Sequence, residues 1–293
     1  MSLLPSTTEI LFAIGAGDDV VGVTFECDYP DEARSRRIVS NTAMSHGLTP
    51  AEIDAEVRAR LAAGEDLYRL DEGVLRDLDP EVVVTQDLCA VCAVDVANVD
   101  AALDHLGCRA KVVTIDPMTL DEVLESITVL GEVTGRAPAA AALVDESRAR
   151  LDAVRRAVAD RPRPRVAMVE WTEPLFCAGH WVPDMVEAAG GVNVLGTAGA
   201  RSHTVEAADL AAAAPDIVVV TPCGYRLEGA ADLARALVAS GAVPDGVAVW
   251  AVDADAAYVR PGPRLVDGVE ALAGVLHPEV LPARPEMATL IRA

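Results

Sequence analysis

The sequence predicts an α/β protein made of two Rossmann-like lobes with parallel sheets, bridged by a single long α-helix. Three observations carry this. Short runs rich in β-branched residues alternate with helical segments, the pattern occurs once before residue 116 and again after residue 164, and an amphipathic segment fills the interval. Alternating strands and helices are the signature of βαβ units and parallel sheets. The expected division is residues 1–116 for the first lobe, 117–164 for linking helices, and 165–293 for the second lobe.

In chain order, strands are expected at 20–24, 82–85 and 111–115, then at 165–170, 217–221 and 247–252. The halves also share a phrase. Leu78-Asp79-Pro80-Glu81-Val82-Val83-Val84 resembles Ala213-Ala214-Pro215-Asp216-Ile217-Val218-Val219, and in each a helix ends, proline stops it, and a buried strand begins. Helices are expected to start at Thr7, Thr119 and Pro183. Residues 45–70 break the alternation and read as an insertion near the ligand cleft, with a helix from 49 to 63 opened by Thr49-Pro50-Ala51-Glu52, where Thr49 can cap and Pro50 suits the first turn. Between the halves, residues 137–160 place Ala140, Leu143, Val144, Leu151, Val154 and Val158 at helical spacing, with Asp145, Arg148, Arg155 and Arg156 on the opposite face. Such a helix spans about 36 Å at 1.5 Å per residue, enough to cross from one lobe to the other.

Composition narrows the partners. Hydrophobic residues make up 52% of the chain but aromatics only 3%, so the cores are built from Ala, Val and Leu. The net charge of −22 repels phosphate backbones and anionic lipid, which argues against nucleic acid and membrane surfaces as partners. No apolar run approaches the roughly 20 residues of a membrane span, and the opening Ser2-Leu3-Leu4-Pro5 shows no basic-then-apolar leader pattern, which leaves open a leader trimmed from its front. The apolar residues after Met1 look like the end of a strand. A monomer is expected.

In parallel α/β lobes, ligands bind beyond the carboxyl ends of the strands. Five of the six cysteines fall in those loops or at strand ends, together with Trp171, His180 and Trp181. Cys89-Ala90-Val91-Cys92 has the spacing of a soft-metal or redox pair, and buried unreactive thiols are its bland alternative. A zinc, copper or iron site would need further ligands, for which Cys27, His46, His180 and His203 are the candidates. Trp171, Trp181, Tyr29 and Tyr258 could stack on a flat ligand, and Arg260 in Arg260-Pro261-Gly262-Pro263-Arg264 could meet a carboxylate, phosphate or carboxamide. No phosphate-cradling loop, dinucleotide fingerprint, nucleophile elbow or zincin helix is present, so a binding protein is favoured over an enzyme.

The run from Ser2 to Leu11, followed by Gly15-Ala16-Gly17, Val21-Gly22-Val23-Thr24, Cys27-Asp28-Tyr29-Pro30, Gly179-His180-Trp181, Ala189-Gly190-Gly191 and Arg260-Pro261-Gly262-Pro263-Arg264, resembles the cobalamin-binding and iron-chelate-binding proteins of ABC importers. The resemblance covers nearly the whole chain. It implies a helical-backbone periplasmic-binding-protein fold that clamps a corrinoid such as cobalamin, haem or a siderophore in a cleft, with little hinge motion, in the periplasm or at the cell surface, for delivery to an ABC permease. It matches Tyr29, Gln86, Trp171, Tyr258 and Arg260 to cleft positions. It also matches Glu72 to one permease-docking acid, while the second acid is replaced by Ala207 with Glu206 beside it. The alternative is a cytoplasmic metal carrier or metal-dependent enzyme on the same fold, with Cys27, Cys89, Cys92 and His180 as ligands.

Overall fold

The computed structural model describes residues 1–71, 73–74, 77–86 and 110–293. The chain forms two compact units. The first comprises residues 1–117 and 125–144, the second residues 118–124 and 145–293. Both are α/β.

In the first unit, β1 (Gly22–Thr24) pairs in parallel with β2 (Arg37–Thr42), which pairs antiparallel with β3 (Tyr68–Leu70). A second parallel pair joins β4 (Val82–Thr85) to β5 (Lys111–Thr114). Ser2 bridges the two pairs, lying parallel to both Val23 and Val84. Its backbone N–H donates to Gly22 O at 2.9 Å, while Leu3 N donates to Val84 O at 2.9 Å. The apolar start of the chain is therefore sheet, as its composition suggests. It leads into α1 (Pro5–Ala13), with Pro5 in the first turn, where its missing N–H costs nothing.

The expected helix in the 45–70 insertion is α2 (Pro50–Ala63). Thr49 and Glu52 form the reciprocal capping box, and Gly64 ends the helix at φ 70°. The insertion then closes with β3, which the sequence reading did not anticipate. Strand β2 was also unforeseen, because Arg37, Ile38 and Asn41 are exposed and break the alternation that marks a half-buried strand.

Next come α3 (Leu120–Val133) and the long α4 (Ala137–Val158), each with residues in both units. Gly131 of α3 lets α4 come close, since a Cβ there would lie 2.3 Å from that of Ala140. Ala140, Val144, Leu151, Val154 and Val158 are buried, as their spacing predicts.

The second unit holds a seven-stranded sheet in the order β12-β11-β10-β6-β7-β9, with β8 on β6. Its strands are β6 (Arg165–Thr172), β7 (Leu175–Cys177), β8 (Val192–Asn193), β9 (His203–Thr204), β10 (Ile217–Val220), β11 (Ala248–Val252) and β12 (Ala288–Arg292). The centre is parallel, as expected for βαβ units. The flanks correct that expectation, because β7, β9 and β12 are antiparallel additions. The helices are α5 (Val182–Ala188), α6 (Ala207–Ala212), α7 (Leu227–Ala239), α8 (Ala254–Ala257) and α9 (Leu265–Leu276), the last almost wholly buried.

The shared phrase has a structural counterpart. Asp79 and Ala214, each just before proline, both take positive φ, 38° and 43°. Proline bars its predecessor from the right-handed helical region, so the preceding turn ends there. The strands that follow pair alike, Val82 with Lys111 and Ile217 with Ala248.

Candidate functional site

In the second unit, β6 runs three residues beyond its parallel pairing with β10 and delivers Trp171 and Thr172 to the strand-end loops. The Trp171 indole donates Nε1–H to Glu173 O at 3.1 Å and meets Tyr225 edge to face, with ring centroids 5.9 Å apart and planes at 61°. Tyr225 lies in the loop after β10. Burial pushes its hydroxyl pKa up, and its carbonyl accepts the Asp255 N–H at 3.1 Å. Asp255 in turn holds Arg260, whose Nη2 donates to Oδ2 at 2.9 Å; both side chains are nearly buried, at 13% and 12% exposure. The ion pair aims the guanidinium. Trp171 and Arg260 are thus joined through a residue, Tyr225, that sequence reasoning named only as part of a loop. Spacing alone could not show that these loops meet.

Two expected stacking residues turn inward instead. Tyr258 is fully buried and donates its hydroxyl to Gly268 O at 2.9 Å. Trp181 is 6% exposed and donates Nε1–H to Tyr258 O at 2.7 Å. Both rings are thus buried, Tyr258 against Gly268 of α9 and Trp181 beside the His180 ring at 5.6 Å between centroids. In so aromatic-poor a chain the core claims them.

His180 adopts φ 52° on a turn whose backbone is gripped by the 197–202 loop, with His180 N donating to Ala200 O and Gly199 N to His180 O. Burial, with help from Arg201, lowers its pKa, so its imidazole is neutral at pH 7, the form that accepts hydrogen bonds or ligates metal. Beneath it Gly179 N donates to Ser202 Oγ at 3.1 Å, and Ser202 Oγ donates to Glu170 Oε2 at 2.8 Å. An unforeseen pair lies nearby in sequence, with Cys177 Sγ 3.3 Å from His203 Nδ1. Burial raises the Cys177 pKa, which keeps it a thiol. Glu206 is exposed and forms a capping box with Asp209 at the start of α6.

In the first unit, Tyr29 is 47% exposed in the loop after β1, and Gln86 is buried just beyond β4. Cys27 is buried with its thiol 3.0 Å from Thr8 Oγ1, which also donates to Ser2 Oγ and Leu4 O. Tyr68 donates its hydroxyl to Glu26 Oε2 at 3.2 Å, a contact not anticipated. Among the described residues, no three His, Cys, Asp or Glu side chains gather as a metal site. Cys89, Cys92 and Glu72 lie outside the described residues.

A family profile described as "Periplasmic binding protein" matches residues 1–243. A "Cobalamin-binding protein" of Halobacterium salinarum is 25% identical, covering 94% of this chain and 69% of its own length. A "Vitamin B12-binding protein" of Vibrio cholerae is 24% identical, covering 92% and 86%. Among solved structures, a periplasmic heme binding protein from Pseudomonas aeruginosa superposes with a TM-score of 0.70 at 20% identity, over 99% of this chain and 96% of that one. The periplasmic vitamin B12 binding protein of Vibrio cholerae superposes at 0.61 with 22% identity, over 94% of each chain. These two structures share the two-unit α/β fold.

Proposed function

This chain belongs to the periplasmic binding protein family, and we propose that it captures a corrinoid, or a related metal chelate such as haem, and presents it to an ABC-type permease. The observation that carries this is the Trp171–Tyr225 aromatic corner, linked through Asp255 to the oriented Arg260. A flat apolar surface beside a fixed cation suits a macrocycle that carries polar side groups. Relatives named for cobalamin or vitamin B12 align over more than nine-tenths of the chain, which supports the same ligand class. Tyr29, Gln86, Trp171, His180 and Arg260 form the proposed ligand set, and Glu72 with Glu206 the permease contacts. A periplasmic or cell-surface site and a monomer accompany this reading. Among the described residues, no helix is long and apolar enough to cross a membrane.

The test is to purify the protein, record its absorption spectrum and metal content, and titrate it with cyanocobalamin and with hemin. Saturable one-to-one binding of either supports the receptor. A protein that binds neither, yet holds stoichiometric metal lost on Cys89→Ser, would move the function to the metal-site alternative.

A further inference from the structure

The Trp171 indole does not stand alone. Its one polar group, Nε1–H, donates to Glu173 O at 3.1 Å within its own loop. The indole also meets the Tyr225 ring, with centroids 5.9 Å apart and planes at 61°. Edge-to-face contacts of this kind have a directional preference, because the positive ring edge seeks the negative face.

Tyr225 is itself seated by a glycine. At Gly229, in the first turn of α7, a Cβ would lie 2.8 Å from Tyr225 Cδ1. Glycine is a poor helix residue, about 1 kcal/mol worse than alanine in a helix interior. Local helix stability therefore gives no reason for it here, and room for the tyrosine ring does. The Tyr225 backbone is pinned as well, with N donating to Pro222 O at 3.2 Å and O accepting from Asp255 N at 3.1 Å. Seat, ring and indole form a series: Gly229 admits Tyr225, and Tyr225 fixes the plane of Trp171.

We infer that Tyr225, seated on Gly229, is a positioning residue that presets the Trp171 ring face to stack on a flat tetrapyrrole, and so favours that ligand class over a non-planar hydroxamate siderophore. The tetrapyrrole half of this inference rests on the receptor reading above. The Gly229–Tyr225–Trp171 brace does not.

The experiment uses Tyr225→Ala, Tyr225→Phe and Gly229→Ala in the full chain. In ligand-free protein, the Trp171 emission is isolated by subtracting the spectrum of the matching Trp171→Phe protein. Tyr225→Ala and Gly229→Ala are expected to red-shift that emission, and Tyr225→Phe to preserve it, since the ring and not the hydroxyl makes the contact. Binding is then measured with hemin, cyanocobalamin and ferrioxamine B. Tyr225→Ala and Gly229→Ala should weaken tetrapyrrole binding by roughly three- to ten-fold, the scale of one aromatic pair, with Tyr225→Phe near wild type. Ferrioxamine B binding should be weak in the wild type and unmoved by the substitutions.

Gly229→Ala separates positioning from mere support, because the helix gain of alanine, about 1 kcal/mol, offsets the lost aromatic contact, so unfolding stability should stay near wild type while affinity falls. An unchanged Trp171 emission in both Tyr225→Ala and Gly229→Ala overturns the brace whatever the ligand. A changed emission with unchanged tetrapyrrole affinity overturns the positioning role. If the wild type binds neither tetrapyrrole, the receptor reading and the ligand-class half fall together, and the emission result still decides the brace.

Discussion

Arg150 Nε, on α4, donates to Glu270 Oε1, on α9, at 2.9 Å, and its Nη2 reaches Glu270 Oε2 at 2.7 Å, a two-pronged contact inside the second unit. Arg284 binds the same carboxylate, and Asp267 accepts from Arg150. Burial disfavours the Glu270 charge, but the hydrogen bonds and charges of the two arginines outweigh it and hold the pKa below its ordinary 4.5. A carboxylate with a depressed folded pKa contributes stability above its unfolded pKa and loses it as pH falls through the folded value. Arg150→Met should therefore cost about 1–2 kcal/mol at pH 7, a modest figure because the groups are partly exposed. Urea unfolding of both proteins should show this gap narrowing steadily below pH 4.5.

Asp184 has the opposite sign. It accepts the Leu120 N–H at 3.0 Å, but burial, and then the charges of Asp121, Glu122 and Glu187, push its pKa above the usual 3.8. Raising a carboxyl pKa on folding means that stability is lost as pH rises through the interval above 3.8. Asp184→Asn keeps the acceptor and removes the charge. It should stabilise the protein by about 0.5–1 kcal/mol at neutral pH and by nothing near pH 3, as read by thermal melts at the two pH values.

Gly179 has no room for a side chain. A Cβ would stand 2.4 Å from Ala200 O and 2.6 Å from Ser202 N, both backbone atoms that cannot swing aside. Gly179→Ala is expected to cost at least about 2 kcal/mol and to loosen the 197–202 loop. Amide hydrogen exchange at Gly199 and Ala200 that stays as slow as in the wild type would refute this.

Tyr258→Phe removes a buried donor from Gly268 O, which should lower stability by about 1–2 kcal/mol while leaving ligand affinity unchanged. A loss of affinity without a loss of stability would return Tyr258 to the ligand surface.

Thr221, just past β10, buries a hydroxyl that has no hydrogen-bond partner among the described residues. Thr221→Val keeps the shape and removes an unsatisfied polar group, so the unfolding midpoint should rise, by about 1 kcal/mol in stability.

How far the structure was readable varies by element, for physical reasons. Strands β4 and β10 could be read because β-branched residues follow a proline that ends the preceding turn, and α2 because Thr49 and Glu52 carry its cap in adjacent sequence. Those signals are local. Strands β7, β8 and β9 are two or three residues long and exist through pairing with a distant partner, which no short window encodes. The same divide runs through the candidate site. Trp171 and Arg260 were recognisable by type and position, yet whether an aromatic faces solvent or core depends on what packs behind it. That is why the burial of Trp181 and Tyr258, and the contacts of Tyr225, Asp255 and Gly229, are seen only in the structure. The Cys89 and Cys92 pair and Glu72 fall outside the described residues.

The antiparallel strand β12 closes one border of the large sheet, with Arg292 also bonded to Val247 O and Pro244 O. It works as a selvedge. A chain shortened before Ala288 would keep its parallel centre but bare the backbone of β11, a ready template for another molecule's strand. Self-adhesion, rather than simple unfolding, is then the damage to expect from proteolytic clipping at this end.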